Sequence, residues 1–299
     1  MRQAGGGRDG QLLGAGLVLA SALVFSLAGI LTKLITADAW TIACWRGLVG
    51  GLLITLYVAR IGRHRPPREC FRLGWRGWLI ASVGALASLA FIAAFKLTYV
   101  ANVAVIYATA PFLAAGLAWL LFRERLQART ALAAVVSLCG VAVVVSGGLG
   151  SDSLAGDGFA LLMTLGCALY MVLIRAFRDG PVVWAGGVSG LQLFVLGWFV
   201  ADPLAVSPQD ALLMALFGAS FAVATVLWTE GTRLITAAES GLIGTAETPF
   251  AILLAWLLLA ELPPLGSFAG GAIVLAAVFA HAAVGLRRAR RQSAAAPLA

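Results

Sequence analysis

Thr109-Ala110-Pro111-Phe112, Leu117-Ala118-Trp119-Leu120-Leu121 and Glu124 form one phrase of this chain, and Glu247-Thr248-Pro249-Phe250, Leu254-Ala255-Trp256-Leu257-Leu258 and Glu261 repeat it. The prolines lie 138 residues apart and the tryptophans 137, so the copies differ by one deleted residue. Both copies sit inside long apolar runs. The register continues elsewhere: Gly16-Leu17-Val18-Leu19-Ala20 through Lys33 aligns with Gly158-Phe159-Ala160-Leu161-Leu162 through Arg175 at a constant offset of 142. Generic Leu/Ala/Trp helix text does not keep an ordered register over several segments. The chain reads as two related halves.

Composition says where those halves reside. The 299 residues are 61% hydrophobic and only 11% charged, with mean hydropathy +0.97. A soluble domain carries roughly 25% charged residues. The apolar runs repeatedly reach the roughly 20 residues that a helix needs to cross a bilayer. Only helices and closed barrels satisfy their backbone groups in lipid, and strand-like alternation is absent. An all-α membrane protein follows, with ten spans expected near 11–35, 39–61, 75–97, 101–122, 130–146, 156–177, 182–200, 211–233, 239–259 and 265–286. Asp179-Gly180-Pro181, Asp202-Pro203 and Pro263-Pro264 mark breaks between spans. The run after Gln11 is too long for a cleavable signal, and more spans follow it.

Charge placement orients the spans. With the N-terminus inside, eighteen of the 21 Lys and Arg fall on the cytoplasmic side, Lys33 and Lys96 fall outside, and Arg46 lies within span 2. The outer loops are read as acidic, carrying Asp38, Asp152, Asp157, Asp202 and Asp210. The net charge of +8 is therefore a topology signal and excludes a nucleic-acid partner. Both termini are expected in the cytoplasm, with the chain in the cytoplasmic (inner) membrane. Each half holds five spans, an odd number, so the second half enters from the opposite side. Inverted repeats are a recurrent transporter architecture, with substrate near the midplane between halves. The expected organisation is an N-terminal tail over 1–10, a first five-helix repeat over 11–150, a second, inverted repeat over 151–286 and a basic tail over 287–299.

Other classes lack their residues. Cys44, Cys70, Cys139 and Cys167 form no Cys-x-x-Cys pair, and His64 and His281 are too separate for a metal cluster. Gly5-Gly6-Gly7 lacks the lysine and strand of a phosphate loop. No cofactor, metal or catalytic set is expected.

The basic residue closing the first helix of each half (Lys33, Arg175), the proline of the fourth helix (Pro111, Pro249) and the glutamate after it (Glu124, Glu261) resemble the EamA-type members of the drug/metabolite transporter superfamily. The resemblance runs from about Gly14 to Leu286. It implies ten helices, two inverted five-helix repeats, a central cavity, no covalent cofactor and export of small metabolites. Within the superfamily the chain looks most like aromatic amino-acid exporters. Two departures stand out. Ser189-Gly190 aligns with Arg46-Gly47, and Glu247 replaces Thr109.

Candidate residues follow from depth. Pro111 and Pro249 sit mid-span, where proline removes a backbone hydrogen bond; each is a static kink or a hinge. Glu247 lies two residues before Pro249, within roughly 5 Å of the span centre. A carboxyl group at that depth carries a proton, holds an ammonium group or pairs with a cation such as Arg46. Arg46 either grips a substrate carboxylate bidentately or snorkels toward Asp38, and the second reading is favoured here. Ser21, Phe25, Ser26, Ser82, Ser88, Tyr99, Asn102, Tyr107, Tyr170, Gln192, Trp228 and Thr245 are cavity candidates that would serve equally as helix-to-helix contacts or interface anchors. Tyr107 is the preferred aromatic wall and Gln192 the preferred amide donor. Lys33, Arg175, Glu124 and Glu261 read as structural charges, and Glu239 as a helix-opening acid. Gly47, Gly50, Gly51, Gly186, Gly190, Gly266 and Gly270 read as close-packing positions.

The function expected is a secondary transporter that exports amino acids by alternating access, with membrane lipid and a small-molecule substrate as partners, as monomer or homodimer. Rivals remain. A small multidrug-type exporter would place an acid in span 1, where none lies between Gln11 and Lys33. A nucleotide-sugar-like anion transporter would want a second buried cation. A membrane-embedded enzyme would need a clustered nucleophile or base. A passive channel also fits.

Overall fold

In the computed structural model, residues 8–62, 71–123, 127–147, 153–177 and 182–295 are described. They are helical, and ten spans are long and apolar enough to cross a membrane: span 1 Gly10–Leu34, span 2 Ala39–Ile61, span 3 Gly74–Leu97, span 4 Val100–Phe122, span 5 Ala128–Gly147, span 6 Ser153–Ala176, span 7 Val182–Val200, span 8 Pro208–Thr232, span 9 Glu239–Leu259 and span 10 Leu265–Val284. Glu124, Cys70 and His64 lie outside the described residues.

Two spans break where proline demands it. In span 4, helix Val100–Tyr107 gives way at Ala108 and Thr109 to helix Ala110–Phe122, with Pro111 in the first turn. In span 9, helix Ala237–Gly244 gives way at Thr245 and Ala246 to helix Glu247–Leu259. Proline lacks the N–H that the previous turn would accept, so the helix restarts just before it. A third break, at Leu27 in span 1, has no proline. There Ser26 Oγ donates back to Leu23 O at 2.7 Å, a local bond that competes with the helical ladder.

Span packing follows a rule. Span 1 lies on span 8, span 3 on span 6, span 2 on both 7 and 8, span 7 also on 3, and span 5 on 10. Exchanging each span for its counterpart in the other half leaves this pattern unchanged. Glycine permits the closest crossings. A Cβ on Gly47 would stand 2.3 Å from Gly190 O, and one on Gly270 would stand 2.4 Å from Gly140 O. Lipid gives helices no hydrophobic drive to associate, so such backbone contact supplies the van der Waals attraction that does. Gly186 departs from the expected role: its nearest neighbour is Tyr170 Oη at 3.9 Å. The repeated tryptophans, Trp119 and Trp256, are each 54% exposed on the outer face of the bundle. The phrase that marks the duplication thus faces away from the interior.

Candidate functional site

The breaks in spans 1, 4 and 9 converge. Phe25, Ser26 and Gly29 beside the first, Tyr107 beside the second and Glu247, Thr248 and Ala251 beside the third line one internal space, which Phe91 and Phe95 of span 3 and Met163 of span 6 complete. In this conformation the space is about 20 Å³, the room of a single water. Among the described residues Glu247 makes neither a hydrogen bond nor an ion pair, although its carboxyl lies within electrostatic reach of Tyr107 and Cys167. It opens helix Glu247–Leu259, where the helix dipole favours a negative group.

Arg46 overturns the reading that it snorkels to Asp38. It is 7% exposed, and one Nη donates to Ser88 Oγ. Its guanidinium lies 4.3 Å from the Phe221 ring centre, 4.8 Å from Phe217 and 5.8 Å from Phe91. These ring faces attract a desolvated cation. Nε has no hydrogen-bond partner, and no carboxylate pairs with the side chain among the described residues. Asp38 instead caps span 2, accepting from Trp40 N at 2.8 Å and Thr41 N at 3.1 Å. Partial burial opposes its charge, but these bonds and one from Thr41 Oγ1 hold its carboxyl below the usual carboxylate range. Arg46 and Glu247 do not pair with each other either. Phe91 links their surroundings: its ring lies 5.8 Å from the Arg46 guanidinium and lines the same space as Glu247.

The other candidates divide. Phe25 and Tyr107 line the space. Gln192 Nε2 donates to Ser82 Oγ at 3.1 Å, linking spans 7 and 3, and its Oε1 has no partner. Tyr170 packs on Gly84, and Trp228 on Gly244. Thr245 Oγ1 donates to Leu242 O at 2.6 Å within the span 9 break. Ser21 is fully buried and donates to Ala224 O at 2.8 Å, joining spans 1 and 8. Tyr99 precedes helix Val100–Tyr107 as its N-cap residue. Pro111 and Pro249 flank the breaks without lining the space.

Asn102 leads to a second cluster. Asp157, read from sequence as an outer-loop acid, is fully buried in span 6. It accepts from Thr98 Oγ1 at 2.7 Å and from Asn102 Nδ2 at 3.0 Å, while Asn102 Oδ1 accepts from Ser267 Oγ. Asp210 is likewise no loop residue: it is 5% exposed in the first turn of span 8 and accepts from Thr36 N at 2.9 Å. Helix starts hide such acids because their carboxylates find donors there. Nearby, Lys33 Nζ pairs with Glu261 Oε1 at 3.4 Å, and Glu261 also accepts from Val100 N at 3.1 Å. The sequence carried little signal for Phe91, Phe217 or Phe221 around Arg46, since apolar residues fill every span.

Residues 12–146 match the profile of the EamA-like transporter family. No curated protein matches the chain. A solved protein described only as "Crystal structure of protein" shares the fold, with TM-score 0.62 at 19% identity over 93% of this chain and 98% of that one.

Proposed function

We propose that this chain exports amino acids across the cytoplasmic membrane, on the premise that its first half, residues 12–146, belongs to the EamA-like transporter family. That family carries small molecules across membranes. One observation carries the finer reading. Arg46 is buried without a carboxylate, and Glu247 lines the same central region without a cation. A lone buried charge is costly, and each of these lacks what a zwitterion brings. A substrate carboxylate would accept from Arg46 Nε and Nη, and its ammonium would meet Glu247. Phe25, Phe91, Phe95 and Tyr107 would take an apolar or aromatic side chain.

The internal space is far too small for an amino acid as it stands. Binding therefore requires the halves to move, and the breaks beside Pro111 and Pro249 are the points where spans 4 and 9 would bend. The exchange-symmetric packing supports two inverted halves that rock about a shared site. Glu247 would serve as proton carrier as well as ammonium site once the substrate leaves.

Reconstitution into liposomes with labelled amino acids, with and without a pH gradient, tests this. Aromatic and branched apolar amino acids should be taken up and exchanged. Arg46→Met should lower kcat/KM by about 100-fold, the loss expected when a bidentate charged contact worth roughly 3 kcal/mol is removed. Flux of no amino acid in this panel would sink the substrate class while leaving transport of other small molecules open.

A further inference from the structure

The two ends of the bundle share one tight contact. At the end that carries Lys33, a Cβ on Gly156 would stand 2.6 Å from Leu97 C and from Thr98 N and Cβ. At the opposite end, which carries Arg233, a Cβ on Gly14 would stand 2.7 Å from Leu234 Cβ and Ile235 Cγ2. Gly14 and Gly156 are counterparts at the repeat offset of 142. Each glycine opens the first span of one half and rests on the segment that precedes the fourth span of a half. The ends differ in the next residue. Asp157 follows Gly156, and Ala15 follows Gly14.

Asp157 uses that difference fully. Its donors, Thr98 and Asn102, belong to the other half, and Asn102 passes the link on to Ser267 of span 10. The Lys33–Glu261 pair crosses the halves a second time beside it. We propose that Asp157 is a latch that closes the Lys33 end, and that its absence at Ala15 makes this the favoured closed end. The latch rests on the transport reading only in that the same end must open for substrate to leave. Asp157 is fully buried, so water does not compete for the bonds that it accepts. Lys96 at the end of span 3 donates to Ile35 O and Lys33 pairs with Glu261, and neither cation pairs with the Asp157 carboxylate.

Native Cys167 reports on opening because it packs inside the bundle against the buried cluster that holds Val103 and Met163. With Cys44, Cys70 and Cys139 replaced by alanine, a membrane-impermeant thiol reagent is applied to each face of the membrane in turn. Asp157→Asn keeps the shape but sets an amide donor against Asn102. It should speed labelling from the Lys33 face by about tenfold, and Thr98→Val should act in the same direction. Wild-type labelling rates in correctly folded Asp157→Asn and Thr98→Val would overturn the latch. Should both misfold, Ser267→Ala decides, because it frees Asn102 from span 10 without adding a thiol: Cys167 labelling from the Lys33 face should quicken, and a wild-type rate would overturn the proposal. Labelling needs no substrate, so failure of the amino-acid reading, seen as absent flux in liposomes, is separately visible.

Discussion

The Lys33 end and the Arg233 end of this bundle have the same glycine contact and different chemistry around it. At the first, buried polar side chains cross between the halves: Asp157 with Thr98 and Asn102, and Lys33 with Glu261. At the second, Tyr57 Oη donates to Glu230, which also pairs with Arg233 at a more exposed position. On the latch proposal, a glycine contact common to both ends leaves polar substitutions such as Asp157 to bias which end stays shut. Near-symmetric halves need only a small bias, since about 1.4 kcal/mol shifts a two-state ratio tenfold.

The largest test of that difference is Asp157→Ala, which makes the two ends alike. It strands the Thr98 hydroxyl and the Asn102 amide without an acceptor, at about 1–3 kcal/mol for each buried donor. A clear drop in the melting temperature of the detergent-solubilised protein is expected, and an unchanged value would mean that the network contributes nothing. Next comes the shared contact itself. Gly156→Ala meets the backbone of Leu97 and Thr98 at 2.6 Å and should cost about 1–3 kcal/mol, whereas Gly14→Ala meets Leu234 Cβ and Ile235 Cγ2 at 2.7 Å, with backbone Gly231 O farther off at 3.1 Å, and should cost less. Equal losses in thermal unfolding would remove the distinction. The smallest effect belongs to Asp38→Ala, about 1 kcal/mol for a lost helix cap. Because the folded Asp38 carboxyl titrates below its unfolded value, its contribution is present at neutral pH and fades as the pH falls through that lowered pKa. The wild-type and Asp38→Ala melting temperatures should converge in acid and separate above it.

Much of the scaffold was legible in the sequence because membrane physics writes in large letters. Run length gave ten spans, and Pro111 and Pro249 gave two of the breaks. Gly47 and Gly190 read as close-packing positions and meet. The break at Leu27 was not legible, since no proline stands at it and the same serine and threonine back-bonds occur in unbroken helices. The acids misled for a physical reason. Asp157 and Asp210 stand near span ends, where loop and helix start look alike in one dimension, and their donors arrive from Thr98 and Thr36, far away in the chain. Arg46 misled in the same way: it reads as snorkelling toward Asp38 but lies buried against aromatic rings. Its aromatic surround comes partly from span 8, which no local pattern could reveal.

The Gly47–Gly190 crossing has a consequence for biosynthesis. Span 2 and span 7 are the least apolar of the ten, with mean hydropathy 1.7 and 1.5, and they meet each other face to face. In the finished fold span 7 covers Gly47 and Gly51, and span 8 covers Gly50, with residues made more than a hundred positions later. Insertion of span 2 therefore precedes its burial by more than a hundred residues of synthesis. A chain truncated between the halves would lack both spans 7 and 8, which cover Gly47, Gly50 and Gly51, and should be degraded faster than the full chain.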